Sequence, residues 1–176
     1  MKKGGPALRQ ELGDINYLEA HPKVCQFFKD VGCYKFCEKI QGSHQQVAEA
    51  FSLSSNGYKE IIGKEEFLID ETLIAEVTEL PSTSEKWSKT TIPKNVEFRS
   101  YLKPEHRGVV WKKSVASSWL EERWQQLLKA IVVYINCEGR YNRAMIYHFK
   151  LMNYFTGKSP LNLPFYLHRI LGKMAY

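Results

Sequence analysis

Ser118-Trp119-Leu120-Glu121-Glu122-Arg123-Trp124-Gln125-Gln126-Leu127-Leu128-Lys129-Ala130-Ile131-Val132-Val133-Tyr134-Ile135-Asn136-Cys137-Glu138-Gly139 is the most strongly periodic stretch of the chain, and it decides the fold class. Ser118 with Glu121 three positions on has the form of a capping box, in which the hydroxyl accepts from a free amide and the carboxylate reaches back. Trp124, Leu127, Leu128, Ile131 and Ile135 then recur at spacings of three and four, which lays one apolar face along a helix. Gly139 provides a stop. A helix with such a face needs other elements to cover it.

Reading downstream, Tyr141, Met145, His148, Phe149, Met152 and Phe155 predict a second helix ending at Thr156-Gly157. Asn162-Leu163-Pro164 opens a third, with proline at the first helical position, where its missing N–H costs nothing. Leu167, Ile170 and Leu171 continue it toward Tyr176, and an apolar helix cut by the chain end is the expectation for a fragment. Upstream, 81 to 117 is the least regular part, with Pro81, Pro93, Pro104, Gly108 and the isolated Trp87 and Trp111. It reads as a long irregular connection holding one helix, roughly Asn95 to Lys103.

Farther toward the start, Asp70 can cap a helix whose Leu73, Ile74 and Val77 face inward until Leu80-Pro81 stops it. Phe51, Leu53, Asn56-Gly57 and Tyr58 to Ile62 predict a hairpin, because Asn-Gly supplies the positive φ angles of a tight turn. Ser43 to Gln46 forms another capping box before a short helix with Val47, Ala50 and Phe51. Residues 7 to 42 read as two or three short helices, broken at His21-Pro22 and Gly32, with Val24, Phe27, Phe28, Val31, Tyr34, Cys37 and Ile40 as their apolar stripe. The expected architecture is a compact, mainly α, multi-helix domain over 23–176 with a small β-hairpin near 51–69. A partly flexible segment, 1–22, precedes it.

Composition agrees with one folded unit: 176 residues, 44% hydrophobic and 13% aromatic, are enough to bury about 70% of the unfolded surface. No signal-peptide pattern or membrane-length apolar run is present, and the 4 cysteines are too sparse for a disulfide scaffold. An intracellular protein with free thiols, in nucleus or cytoplasm, is expected. The net charge of +6 is unevenly placed: 9 Lys and Arg face 13 Asp and Glu up to Leu80, whereas 16 face 6 from Pro81 on.

Catalytic signatures are missing. Gly57 to Lys64 has five residues between its glycines, where a phosphate-binding loop has four, and Glu65 where magnesium needs Ser or Thr. His21, Cys25, Cys33, Cys37 and His44 include pairs four apart that one helix face could present to zinc; Cys33, Cys37 and His44 are the weak metal alternative. Asp14, Asp30 and Asp70 each read as a cap or a solvated residue, and nothing acidic sits on a convincing strand, whereas a two-metal nuclease needs three converging carboxylates. Cys137 with His148 and His168 lacks a nucleophile signature, and His148 on an apolar face reads as a packing residue. No cofactor, catalytic residue or small-molecule substrate is expected.

Binding remains. Lys103, Arg107, Lys112 and Lys113 surround Trp111, and Arg140, Tyr141 and Arg143 cluster after Gly139. Cations beside aromatic rings suit a phosphate backbone with accessible bases, the cations for charge and the rings for stacking. The competing expectation is an ordinary solvated face with Trp111 in the core. Self-association through Trp87 and Trp111, in the manner of a small helical capsid domain, is the second function considered.

Several strings carry a family likeness: Val47-Ala48-Glu49-Ala50-Phe51, Ile62-Gly63 with Phe67, Glu71 to Glu79-Leu80-Pro81, Glu85-Lys86-Trp87, the Trp124 to Gly139 helix, and Asn162-Leu163-Pro164. Over roughly residues 25 to 174 the chain resembles a plant-specific domain of transposon and retrotransposon-derived proteins. The resemblance implies a mainly helical domain of uncharacterised role, encoded near or within mobile elements, with no catalytic residues to transfer. Ser82-Thr83-Ser84 stands where that family would carry a glycine, and the C-terminus is short, as in a degenerate or truncated copy.

Overall fold

The computed structural model describes residues 15–39, 59–62, 65–88, 96–110, 113–136 and 140–174. In chain order its elements are α1 (Asn16–Glu19), α2 (Pro22–Asp30), α3 (Tyr34–Lys39), β1 (Lys59–Ile62), β2 (Glu65–Leu68), α4 (Glu71–Thr78), β3 (Ser114–Ala116), α5 (Glu122–Ala130), β4 (Arg143–Met145), α6 (Ile146–Phe155) and α7 (Leu163–Met174). Single 3-10 turns occupy Arg99–Tyr101, Pro104–His106 and Ser117–Trp119. The fold is mainly α, as the apolar periodicity predicts, and its strands form two antiparallel pairs, β1–β2 and β3–β4.

The core is organised around α6. Every residue from His148 to Phe155 is buried, so this helix is covered on all sides and not along one stripe. Phe28 of α2 stacks on Phe155 with ring centroids 4.4 Å apart, and Phe149 lies near Phe98 and Tyr101 at 5.8 and 6.0 Å. The predicted apolar face of α5 is buried at Leu127, Leu128, Ile131 and Ile135, and Trp124 meets Tyr101 edge-on at 5.0 Å. Burial of each such side chain contributes about 1.5–3 kcal/mol relative to exposure.

Tertiary pairing moves the start of α5. It begins at Glu122, not Ser118, because Leu120 is fully buried and forms a β-bridge with Leu102 that holds its backbone extended. Glu121 N–H donates to Tyr101 O at 3.0 Å and Lys103 N–H to Trp119 O at 2.8 Å, so the expected capping box gives way to a two-sided backbone clamp. At the other end the helix widens into a π turn over Ile131–Ile135, with Asn136 N–H donating to Ile131 O at 3.0 Å. Helix α6 likewise starts at Ile146 and not near Tyr141, since Arg143–Met145 pair with Ser114–Ala116.

Elsewhere the local signals are reproduced or shifted by a turn. Pro22 opens α2, and Gly32, at φ +77°, follows its end. Asp70 caps α4 by accepting from Leu73 N–H at 2.8 Å, Ile74 is buried, but Val77 is 64% exposed, contrary to expectation. Asn162 caps α7 by accepting from Phe165 N–H at 2.9 Å, which makes Pro164 the second helical residue and not the first. In the hairpin Lys59 pairs with Leu68 and Ile62 with Glu65, so the reversal falls between Ile62 and Glu65. The capping box at Ser43, the helix after it, and the Asn56-Gly57 turn lie outside the described residues.

The connection from 81 to 117, where it is described, runs mostly at the surface and is pinned to the core at a few positions. Trp87, Tyr101 and Leu102 are essentially inaccessible, and Trp87 meets Tyr166 edge-on at 5.1 Å. The helix expected from Asn95 to Lys103 is reduced to the 3-10 turn Arg99–Tyr101; Asn95 and Trp111 are outside the described residues.

Candidate nucleic-acid interface

Strands β3 and β4 form a short ribbon with Ser114 opposite Met145, Val115 opposite Ala144 and Ala116 opposite Arg143. Strand alternation turns Val115 and Ala144 into the core and Arg143 outward. Ser117 N–H donates to Asn142 O at 2.9 Å and extends the pairing by one step. The Arg143 guanidinium lies along the ribbon, its Nε donating to Ser114 Oγ at 2.7 Å. Lys113, next to Ser114, and Arg140, Tyr141 and Arg143 are all exposed. The ladder thus joins the two segments that carry the basic clusters of the sequence, 29 positions apart at the Arg143–Ser114 contact.

Tyr141 is tied to α5. The Lys129 ammonium sits 5.3 Å from its ring centroid and 4.7 Å from that of Tyr17, a cation held between two aromatic faces. Tyr17 is fixed in turn by its hydroxyl, which donates to Gln126 O at 3.2 Å, and by the ring of His21 at 4.3 Å. Burial, with a smaller effect from Tyr141, pushes the Tyr17 hydroxyl up to about 12, so it stays neutral beside Lys129 at physiological pH. Neither Lys129 nor Tyr17 stands out in the sequence. Lys129 merely occupies a polar position of α5, and only the packing of α1 and the β4 approach reveals the sandwich.

The other half of the first basic cluster serves the scaffold. Arg107 donates from Nε to Leu102 O at 3.0 Å and from Nη2 to Glu121 Oε1 at 3.0 Å. Arg123 takes the second oxygen of Glu121 at 3.1 Å, and His106 stacks on Trp119 at 4.6 Å. Lys103 is half-buried where its backbone joins the clamp to Trp119. Arg107 is therefore paired with an acid, whereas among the described residues no carboxylate pairs with Lys113, Arg140 or Arg143. Trp111 and Lys112 lie outside the described residues.

The remaining chemical candidates that are described are buried or half-buried. Cys25, Cys33 and Cys37 are buried free thiols. Burial first, then Cys37, pushes the Cys33 thiol well up despite an opposing hydrogen bond with Tyr154, and burial pushes Cys37 to about 12. Among the described residues no three His, Cys, Asp or Glu side chains gather as a metal site, and His44 lies outside them. His148 accepts from Met145 N–H through Nδ1 at 3.0 Å, capping α6; Cys137 is outside the described residues and His168 is half-buried.

One polar network escapes the sequence entirely. Asn162 Nδ2 donates to Glu71 Oε1 at 2.7 Å and to Ser82 O, while Glu71 Oε2 meets Lys86 at 2.8 Å, joining α4, the 82–86 segment and α7. Partial burial raises the Glu71 carboxyl, but hydrogen bonds from Lys86 and Asn162 outweigh it and leave it below the usual carboxylate range. Among the described residues no helix is long and apolar enough to cross a membrane. No family model, curated protein or solved structure matches this chain.

Proposed function

We propose that this chain is a non-enzymatic, mobile-element-derived module that holds the phosphate backbone of nucleic acid on the β3–β4 ribbon and the Arg140–Tyr141 approach to it. The single observation that carries the reading is that the β3–β4 ladder joins the segment carrying Lys113 to the one carrying Arg140 and Arg143, three cations that are each exposed and without a carboxylate partner among the described residues. Cations that no internal acid neutralises retain their field for a polyanion, and phosphate contacts of this kind position a ligand without reading its sequence. The excess of 16 Lys and Arg over 6 Asp and Glu from Pro81 on supports the same sign of partner. The mobile-element origin rests on the sequence strings given above, and an intracellular location, nucleus or cytoplasm, follows from the proposed ligand.

The test is a double charge reversal, Lys113→Glu with Arg143→Glu, compared with Lys39→Glu. Lys39 is already paired with Glu79 at 2.7 Å, away from the ribbon in sequence and on a different element. Weaker binding of every nucleic-acid sequence by the ribbon variant, with the Lys39 variant unchanged, is the expected result. Equal behaviour of the two variants contradicts the reading; binding of an acidic protein but not of nucleic acid replaces the ligand. Self-assembly through tryptophans has less support, because Trp87 is packed in the core against Tyr166. A mass that rises with concentration in light scattering would reinstate it.

A further inference from the structure

We infer that the nucleic acid held on this surface is single-stranded, with an unpaired base stacked on the ring of Tyr141; the inference rests on the phosphate-binding reading above. Among the described residues the large exposed hydrophobic side chains are Leu68, Val77, Val110 and Tyr141, and only Tyr141 is aromatic. It is 41% exposed, and it sits between Arg140 and Arg143 in the chain. An aromatic ring in that position is poorly used on a duplex, whose base faces are hidden in the stack. On an unpaired strand each base offers a face, and a sequence-tolerant stack between flanking cations is the way such strands are held.

The ring is also prepared for stacking. Lys129 approaches it at 5.3 Å from the centroid and is itself held by Tyr17 at 4.7 Å, so Tyr141 is anchored from α5 while much of its surface stays in solvent. A ring already held in place loses little side-chain freedom when a base settles on it. Arg140 and Arg143 are three residues apart, at most about 10 Å of extended chain, which keeps both cations close to a strand whose base lies on the ring between them.

The experiment is fluorescence anisotropy with one labelled mixed-sequence oligonucleotide, offered alone and annealed to its complement, to the wild-type chain and to Tyr141→Ala and Tyr141→Phe. The Ala variant should lose affinity for the single strand on the order of 5- to 150-fold and for the duplex by less than about 2-fold, and Phe should restore the single-strand affinity. Thermal melting of each variant verifies that the fold is kept. Equal loss on both ligands, or no loss on either, overturns the single-strand inference while leaving phosphate binding in place. If the wild-type chain binds neither ligand, the phosphate-binding reading fails and this one with it.

Discussion

Helix α6 and the ribbon strand β4 are consecutive in the chain, and they treat charge in opposite ways. In α6, Lys150 is only 7% exposed, and its ammonium reaches Ser159 Oγ at 2.5 Å and Glu85 at 3.8 Å. Asn153, also buried, accepts from the Tyr101 hydroxyl at 2.6 Å and donates to Glu97 O at 3.2 Å. In β4, Arg143 is exposed and, among the described residues, its guanidinium donates to the neutral Ser114. A buried polar group without partners would cost about 1–3 kcal/mol, and Lys150 and Asn153 avoid that cost with partners inside the protein. An exposed cation carries no such cost. Polar residues bonded from within hold the structure together, and cations without a carboxylate partner among the described residues define the candidate surface.

The contrast can be broken most forcefully at its buried side. Phe149→Ala removes a ring with no solvent exposure from between Phe98 and Tyr101 and should cost about 3–5 kcal/mol in chemical denaturation. Asn162→Ala should cost about 2 kcal/mol, since it deletes both the α7 cap and the link to Glu71. A value near zero for either would mean that the described packing does not govern stability.

Alkaline pH probes the same side more gently. Burial, only partly offset by a hydrogen bond with Thr156, holds the Tyr101 hydroxyl up to about 12, and Tyr17 is raised to about 12 from an ordinary 10.0. Both folded values lie above the unfolded one, so their contribution is complete below pH 10.0 and is lost as pH rises toward about 12. Ultraviolet titration should show tyrosines that ionise late, and denaturation midpoints should fall across that interval. Early ionisation of all tyrosines would contradict the burial of these two. At the ribbon, Arg143→Ala should change stability by less than about 0.5 kcal/mol while weakening nucleic-acid binding, the reverse of the pattern in α6.

Short-range signals in the sequence survive folding well. The Asp70 cap, the glycine after α2 and the Leu127, Leu128, Ile131, Ile135 stripe depend on neighbours within a turn or two, and the structure reproduces them. Ser118 misleads because the Leu102–Leu120 bridge, formed across 18 positions, outweighs a local cap worth about 1 kcal/mol. The candidate site shows the same division. Arg140, Tyr141 and Arg143 are visible as a basic, aromatic string, but the pairing of their segment with the one that carries Lys113 depends on a strand ladder that neither segment announces. The loss of Arg107 to Glu121 and the Tyr17–Lys129–Tyr141 sandwich are equally non-local.

The central claim is tested most directly by the slope of nucleic-acid affinity against salt concentration on logarithmic axes, for the wild-type chain and for the triple variant Lys113→Glu, Arg140→Glu, Arg143→Glu. The account predicts a steep negative slope for the wild type, a slope shallower by about 3 for the variant, roughly one per phosphate contact removed, and the same unfolding midpoint for both. A wild-type affinity indifferent to salt, or a triple variant that keeps the wild-type slope, would contradict it.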